Sequence, residues 1–565
     1  MSATTEVFSR QARAAIARES LLPAEISGER LERECAALAA HVRDDAAALA
    51  AFTGEPAILP LRRVRPGRAD PHAAGPRVAE LETAGGVALL FKPRSAAADR
   101  AFAAILDVLA GPSAALPQGL ELASPAVLDC TTHSYARALA AAACADEAAV
   151  ARAWRRTGRL LALLQRLGSR DAHRANVLFS GERPCLVDCE ALLQPRLRIA
   201  AGPADWPVDT ALGTGLLGPR GYWRGGRARL TATLGIEAGA GAGRRASLPR
   251  LGAHDVAVSG YERDVLDGYR EAWLHIDALH ERLVAPGGPL DACEALPVRL
   301  LPRPTLLYRA LVSRLATHRL DVAGVRERLR RWPVFGDVTA PWPWVEYEVE
   351  ALRSGLVPML TLAAGARRAG FGFDVALLAE SALERAVRLL RGAASPPFDW
   401  HAGLVARCLA LSAGAPVWQR YAAAPEREPR AALAACVELF LRHRLELPDG
   451  RLAFFGVGAG ASGAALLPRL AGLRRDAVGE RLHGCLRAAA RMLADGTLAA
   501  CAERLAAQWP AEEHVPSCES AAETASLTTV LARRRAATPY FDPVGEEGDL
   551  GVLAALCRAN ERGHV

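Results

Sequence analysis

Apolar residues recur at intervals of three and four along most of the chain, and this spacing predicts amphipathic α-helices. It predicts two helices over about 5–51 with a break near Pro23, and one longer helix over 147–167. Later helical spacing is interrupted at three places: the Gly/Ala stretch 235–243, Pro297, and the Pro/Trp-rich run 332–344. Helices therefore account for most of the predicted structure.

Alternating apolar and polar residues over 78–91, on either side of Gly85-Gly86, predict a β-hairpin, because successive residues of a strand face opposite sides. Lys92 stands at the end of its second strand. Ser95 is predicted to cap a helix that runs to about Leu109, since its hydroxyl can accept a hydrogen bond from a backbone N–H. The strand lysine is therefore expected just ahead of a helix.

A second short hairpin is predicted to pair 176–179 with 185–188. Asp171 begins a D-x-H-x-x-N motif that leads into this hairpin, and Asp188 ends it. Phosphoryl transfer needs a carboxylate near the attacking hydroxyl and oxygen ligands that hold Mg²⁺ on the phosphates. Asp171 can provide the first, and Asn176 with Asp188 can provide the second. Protein kinases have the same order of parts, whereas a capped turn is the alternative interpretation of the motif alone.

Composition restricts the class of protein. At 565 residues, 51% of them hydrophobic, the chain is long enough for about three or four domains, each with its own core. The sequence shows neither a signal segment nor a run of about 18 apolar residues, so neither export nor a membrane span is predicted. The 12 cysteines contain no C-x-x-C pair and indicate reduced thiols in the cytoplasm.

Charge and rare residues add two points. The net charge of +7 is small for this length, and the basic residues are dispersed, so no nucleic-acid partner is expected. Among the 69 Lys+Arg residues Lys92 is the one lysine, and Asn176 and Asn560 are the two asparagines. A lysine kept in an arginine-rich chain indicates a place where a compact ammonium matters, such as contact with phosphate oxygens.

Several short motifs, taken in order, resemble the dehydratase domain of class II (LanM-type) lanthipeptide synthetases over about residues 1–420. The motifs are Asp70-x-His72-x-x-Gly75, Phe91-Lys92-Pro93-Arg94-Ser95, Asp171-x-His173-x-x-Asn176 and Pro184-x-x-Val187-Asp188-x-Glu190. A further segment, R-x-x-x-R-x-T-x-x-Y, lies at 299–308. Together the motifs are far more specific than any one of them.

The resemblance implies an α+β fold with a lipid/protein-kinase-like bilobal core, large helical additions and an α-helical C-terminal region. The expected regions are N-terminal helices over 1–60, a kinase-like core over 61–285, a helical region over 286–425 and a C-terminal remnant over 426–565. Within the core the N-lobe hairpin is expected at about 76–95 and the catalytic loop at 171–190. Ser395-Pro396-Pro397 is a candidate inter-domain joint.

The resemblance also implies an enzyme that uses ATP and Mg²⁺ to phosphorylate Ser/Thr of a precursor peptide. It then eliminates phosphate to leave dehydroalanine or dehydrobutyrine. The implied residues are Lys92, Asp70 and His72 at the nucleotide, Asp171 and His173 at the substrate hydroxyl, Asn176, Asp188 and Glu190 at Mg²⁺, and Arg299 and Thr305 in the elimination. A solvated helix face is the alternative interpretation of Arg299 and Arg303.

The C-terminal region, 426–565, resembles only the glycine-rich opening of the zinc cyclase found in full-length synthetases. His483-Gly484-Cys485 has the cyclase elements in a different order, and with no other Cys/His cluster no zinc is expected. A G-x-G-x-x-G match at Gly458 lacks the βαβ unit and the acidic residue that a dinucleotide site needs. Ring formation on the product would then need a separate cyclase; the alternative is that the product stays uncyclised.

Two other functions remain open. A kinase without elimination, acting on a peptide or a small molecule, would use the residues from Lys92 to Asp188 but would leave 299–308 without a role. A non-catalytic scaffold in a peptide-modifying complex is favoured by one departure from the family pattern. The segment after Tyr135 lacks the acidic residue that the family usually has there.

Overall fold

The computed structural model describes residues 24–66, 77–140, 142–173, 175–197, 209–217, 219–224, 227–232, 247–300, 303, 305–331, 342–370, 374–375, 378–393, 396–412, 444–446 and 452–454. They form a mixed α+β fold, as predicted, with small antiparallel sheets. The kinase-like bilobal arrangement and the α-helical C-terminal region stay predictions. The following predicted features lie outside the described residues: the helix before Pro23, Asp70, His72, the stretch 235–243 and the motifs at Gly458 and His483.

The described helices are α1 (Ala24–Asp44), α2 (Ala46–Thr53), α3 (Ala97–Leu109), α4 (Glu147–Arg166), α5 (Glu262–Val284), α6 (Thr305–Ala316), α7 (Val322–Arg331), α8 (Trp342–Arg353), α9 (Ala382–Leu390) and α10 (Phe398–Ser412). The strands are β1 (Arg63–Pro66), β2 (Ala79–Glu82), β3 (Ala88–Lys92), β4 (Val127–Asp129), β5 (Ser134–Arg137), β6 (Val177–Ser180), β7 (Arg183–Leu186), β8 (Arg196–Leu197), β9 (Pro219–Arg224), β10 (Arg227–Ala232), β11 (Arg250–Leu251), β12 (His254–Asp255), β13 (Pro297–Leu300), β14 (Leu360–Ala363), β15 (Ala369–Gly370), β16 (Asp374–Val375), β17 (Leu378–Glu380), β18 (Arg444–Glu446) and β19 (Leu452–Phe454).

A five-stranded antiparallel sheet in the order β1-β2-β3-β5-β4 contains the predicted first hairpin. The turn between β2 and β3 closes with a hydrogen bond from the Thr83 N–H to the Val87 carbonyl, and Gly86 has a positive φ of 88°. Alternate residues Leu89 and Phe91 face a buried core that α1 and α2 complete. This alternation directs Lys92 to the opposite face of the sheet.

The helix after β3 ends at Leu109, as predicted, but it begins at Ala97 with Ala96 in the capping position. The N-cap that was predicted at Ser95 is therefore one residue later, at Ala96. Its hydroxyl still accepts a hydrogen bond from the Ala97 N–H, and it also bonds to the Asp129 carboxylate. The predicted long helix is confirmed as α4, which the Asp146 side chain caps by accepting from the Ala149 N–H.

The second predicted hairpin is confirmed as β6 and β7, with Val177 opposite Leu186. Its turn is two residues long, at 181–182, and is therefore tighter than predicted. A hydrogen bond from the Val187 N–H to the Asn176 carbonyl continues the pairing beyond the strands. This pairing brings the residues on either side of the hairpin to one end of it.

The helical spacing after residue 300 is confirmed as α6, α7, α8 and α9. The sequence predicted that the helical pattern breaks near Pro297. The structure has no helix there but a strand that was not predicted, β13, which pairs with β14. Arg299 and Leu300 in β13 face Thr361 and Leu360, respectively. A strand in this place fixes Arg299 more firmly than a loop would.

Internal contacts divide the chain into two compact units. The first draws on 1–200, 244–256 and 268–394, and it contains the five-stranded sheet, α3, α4 and the β13–β14 pair. The second draws on 201–243, 257–267 and 395–565, and it contains the β9–β10 hairpin and α10. The division at 394 and 395 coincides with the predicted Ser-Pro-Pro joint, while the four-part domain scheme stays a prediction.

Two further observations concern the described residues alone. None of their helices combines the length and the apolarity that crossing a membrane requires. The seven cysteines among them are free thiols.

Candidate active site

Lys92 lies at the end of β3 with its side chain directed away from the apolar core. The side chain is only 7% exposed, and its Nζ is 3.0 Å from Oδ1 of Asp99 on α3. Nζ also donates to the Val187 carbonyl at 2.7 Å, immediately before Asp188. The one lysine of the chain is therefore held between α3 and the end of the β6–β7 hairpin.

Arg94 lies at the centre of a cluster of three carboxylates. Its Nη1 is 2.8 Å from Asp99 Oδ2, its Nη2 is 2.8 Å from Asp188 Oδ1, and its Nε is 2.8 Å from Glu190 Oε1. Burial opposes the charge of Arg94, but the surrounding carboxylates raise its pKa above the ordinary arginine value. The guanidinium is therefore a permanent cation at the place where the sequence predicts a metal ion.

Asp171 occupies the loop before β6 in the left-handed region, with a φ of 66°. Aspartate and asparagine tolerate this conformation better than most residues. Asn176 Nδ2 donates to the Asp171 carbonyl at 2.9 Å and lies 3.4 Å from its Oδ2. The exposed His173 has its Nε2 3.4 Å from Asp171 Oδ1. The structure thus brings the three polar residues of the D-x-H-x-x-N motif together around Asp171.

Mg²⁺ prefers carboxylate and amide oxygens as ligands. Side-chain oxygens of these two types are present on Asn176, Asp188 and Glu190. Asn176 directs its Nδ2 towards Asp171, which leaves its Oδ1 turned the other way. Two hydrogen bonds to Asp188, from Arg94 and from the Glu190 N–H, both reach Oδ1. Ion binding would still have to draw Asp188 and Glu190 partly away from Arg94.

Arg299 joins this cluster through Glu190. The Arg299 N–H donates to the Glu190 carbonyl at 3.0 Å, and its Nη1 is 3.2 Å from Glu190 Oε2. Gln194 Nε2 holds the Arg299 carbonyl at 2.6 Å. Arg299 is thus a half-buried strand residue within the cluster, which rules out the alternative of a solvated helix face.

Two aspartates of the cluster have pKa values shifted in opposite directions. Burial raises the pKa of Asp171, helped by Asp188 and Glu190, although His173 and Arg299 oppose the shift. Burial also acts to raise the pKa of Asp188, but Arg94 and Lys92 outweigh it and hold the pKa below its usual value. Carboxylates whose pKa values are driven apart are candidates for different roles, one as a base and one as a permanently charged ligand.

Arg303 and Thr305 follow Arg299 but lie in a different environment. Arg303 is buried, and its Nε and Nη2 pair with the two oxygens of the buried Glu348 at 2.9 and 3.1 Å. The Tyr308 hydroxyl donates to Glu348 Oε1 at 2.5 Å. Thr305 begins α6, and no contact within the described residues joins it to the Arg94 cluster. Arg303 therefore supports α6 and α8 and is not on a solvated face.

Among the predicted residues that the structure describes, Asp188 and Glu190 contact Arg94, Lys92 pairs with Asp99 and Arg299 pairs with Glu190. Asp171, joined to Asn176, lies close enough to interact electrostatically with Asp188, Glu190 and Arg299. Thr305 stands apart from this group. His173 lies at the edge, on Asp171. Sequence reasoning gave no role to Arg94 and Asp99. One signal for Arg94 was available, since it belongs to the same five-residue motif as Lys92.

Comparison with known families gives one match that covers more than half of the chain. The family is described as "Domain of unknown function (DUF4135)", and its matches span residues 26–241 and 227–363. The chain belongs to this family, and every described residue of the Arg94 cluster lies within the matched segments. No curated protein matches the chain.

Proposed function

We propose that this chain is a peptide dehydratase that phosphorylates Ser/Thr of a precursor peptide with ATP and Mg²⁺ and then eliminates phosphate. The main support is Glu190, because its two oxygens connect the two predicted sets of residues. Oε1 pairs with Arg94, beside Lys92 and Asp188, and Oε2 pairs with Arg299. The matched family offers further support, since its domain occurs in lanthipeptide synthetase-like proteins.

In the first step the substrate hydroxyl oxygen bonds to the γ-phosphorus of ATP, its proton passes to Asp171, and ADP leaves. The raised pKa of Asp171 suits this role, because a carboxylate of higher pKa is a stronger base. Lys92 places a compact charge against the phosphate oxygens. Asn176, Asp188 and Glu190 would hold Mg²⁺, which would neutralise phosphate charge.

In the second step a base removes the proton from the carbon next to the phosphorylated one, a C=C bond forms, and the C–O bond to phosphate breaks. Arg299 binds the departing phosphate, since a guanidinium can donate two parallel hydrogen bonds to it. Arg299 is close enough to the phosphorylation residues for the peptide to react twice at one site. The family resemblance assigns Thr305 to the same step.

The test is to incubate the full-length chain with precursor peptides encoded beside its gene, together with ATP and Mg²⁺, and to measure peptide masses. The wild type should remove about 18 Da per modified residue, whereas Arg299→Ala should accumulate peptide about 80 Da heavier per residue. Asp171→Asn should leave the peptide mass unchanged. Arg183→Ala, which alters an exposed arginine of β7, is the matched control and should behave as the wild type.

The other outcomes select between the remaining functions. A wild type that only adds phosphate is a kinase, and the elimination step is then rejected. A wild type that changes no neighbouring peptide, although it is folded, indicates a scaffold. A dehydrated product with free thiols is consistent with a separate cyclase as the next partner.

A further inference from the structure

A second group of side chains with metal-binding atoms lies where α1 meets the turn between β4 and β5. Asp45, which lies between α1 and α2, has its Oδ2 2.6 Å from His133 Nε2. One donor atom each from Asp45, Cys130 and His133 lies within 4.8 Å of the others. His41, one helical turn before Asp45, places its ring centroid 4.0 Å from that of His133. Three ligand atoms thus come together, and the ring of His41 lies beside them.

This group is separate from the candidate active site. His133 and Tyr135 are alternate residues, and Tyr135 lies opposite Phe91 in the sheet, whereas Lys92 lies opposite Ser134. The rings of Phe91 and His133 are 5.6 Å apart, on the face that α1 covers. Lys92 and Arg94 belong to the other face, so among the described residues the group contacts neither Lys92 nor the Arg94 cluster.

The backbone holds the ligand atoms in two short units. Asp45 directly follows α1, and its N–H donates to the His41 carbonyl at 2.9 Å, so the last helical turn brings the two residues to one side. Cys130 and His133 stand on either side of a tight turn, which a hydrogen bond from the Cys130 N–H to the His133 carbonyl closes at 2.9 Å. Thr131 within the turn has a φ of 70°, which keeps the two side chains on the same side. Pairs separated by two or three residues are typical of zinc sites.

We propose that His41, Asp45, Cys130 and His133 bind a zinc-class transition-metal ion that ties α1 to the β4–β5 turn. Zn²⁺ binds thiolate, imidazole and carboxylate ligands in tetrahedral sites, whereas a thiolate with two imidazoles suits neither Mg²⁺ nor Ca²⁺, which prefer oxygen ligands throughout. The metal replaces the hydrogen bonds that Asp45 accepts from His133 and from the Tyr135 hydroxyl, the latter 2.9 Å long. The sequence predicted no zinc for the chain, on the ground that the C-terminal region lacks a zinc-binding cluster, and this proposal departs from that prediction.

The test uses the full-length chain, stripped with a chelator and titrated with Co²⁺ as a coloured substitute for Zn²⁺. The wild type should bind one ion and develop a near-ultraviolet thiolate-to-cobalt band. Cys130→Ser should lose that band. Cys35→Ser, which alters a cysteine on the helix that carries His41, should keep it. Asp45→Asn preserves the shape of the side chain and should weaken binding by at least about tenfold.

Metal content measured on the chain as purified gives an independent readout, with about one zinc per chain expected. A folded wild type that shows no band and no metal overturns the proposal, as does a band that survives Cys130→Ser. If Cys130→Ser does not fold, unchanged affinity in Asp45→Asn rejects the proposal in its place. Failure of the peptide assay leaves this result unaffected, because no residue of the proposed active site takes part.

Discussion

Asp171 combines a left-handed backbone with a carboxylate that its surroundings keep from ionising readily. Its φ is 66°, and burial raises its pKa. The folded state therefore binds this proton more tightly than the unfolded chain does. The stabilisation that results is complete below the ordinary aspartate pKa and is lost as the pH rises through the raised pKa. Above the raised pKa, the ionised Asp171 destabilises the fold.

Asp171→Asn should therefore stabilise the protein at pH 7 while it abolishes most activity. Asparagine suits the left-handed backbone and carries no charge, so the unfolding midpoint should rise by on the order of 1–3 °C at pH 7. The gain should shrink as the pH falls through the raised pKa, because wild-type Asp171 then takes up its proton as well. Peptide phosphorylation should fall by about 10²–10⁴-fold, because the base is missing.

Thermal unfolding at several pH values checks this prediction, with the peptide mass assay run in parallel. Asp107→Asn alters an exposed aspartate of α3 and should change neither result. A variant that is less stable than the wild type at pH 7 would show that the hydrogen bond from Asn176 outweighs the cost of the buried charge.

Arg94 shows why part of the site could not be predicted from sequence. Lys92, Asp171, Asn176 and Asp188 stood out because their residue types and spacing match phosphoryl-transfer chemistry. One arginine in a chain with 69 Lys+Arg residues does not stand out in that way. Its contacts with Asp188 and Glu190 join residues more than 90 positions apart, and only the folded chain reveals them.

At the scale of elements, local patterns gave reliable predictions and non-local pairing did not. The β2–β3 and β6–β7 hairpins depend on alternation and a nearby turn, so the sequence around them contains what is needed. The strand β13 was missed because its partner, β14, lies about 60 residues later. That pairing converts a predicted break at Pro297 into the strand that fixes Arg299.

Glu348 on α8 offers a test of how α6 and α8 are held. It accepts from Arg303 and from the Tyr308 hydroxyl, and the Arg303 and Glu348 side chains are 1% and 0% exposed. Glu348→Gln should destabilise this region by about 3–5 kcal/mol, since removing one partner leaves a buried charge uncompensated. Hydrogen exchange of α6 and α8 peptides should accelerate by about 10²–10³-fold.

Glu346, on the same helix, is the matched control because it pairs with Arg326 at the surface, where both side chains are about one-third exposed. Glu346→Gln should change stability by about 0–1 kcal/mol. Equal effects of the two substitutions would mean that burial of the pair has no energetic importance. Replacing Arg303 and Glu348 together by Met should recover much of the loss, because the uncompensated charge is then absent.

For the molecule as a whole, the one lysine of the sequence, Lys92, is also a residue of the candidate site. The chain uses arginine almost everywhere a cation is required, yet the one lysine lies inside the candidate site, within the matched family segments. It is buried, and it pairs with Asp99. A reagent that modifies amines therefore has a single side-chain target in 565 residues, which makes nucleotide binding measurable on the intact protein.

An acyl-phosphate derivative of ATP, which transfers its acyl group to an amine held beside the phosphates, should label the folded chain at Lys92. Excess ATP with Mg²⁺ should suppress the label, and Lys92→Arg should remove it. A simple amine-reactive ester should modify Lys92 slowly in the folded chain and readily after unfolding, because the folded side chain is 7% exposed. Peptide mapping separates this label from that on the terminal amine.

Label confined to the terminal amine, or label at Lys92 that ATP does not suppress, would show that Lys92 does not belong to a nucleotide site. The scaffold function would then explain the buried lysine better than phosphoryl transfer does, because the Lys92–Asp99 pair can stabilise a fold without binding any phosphate.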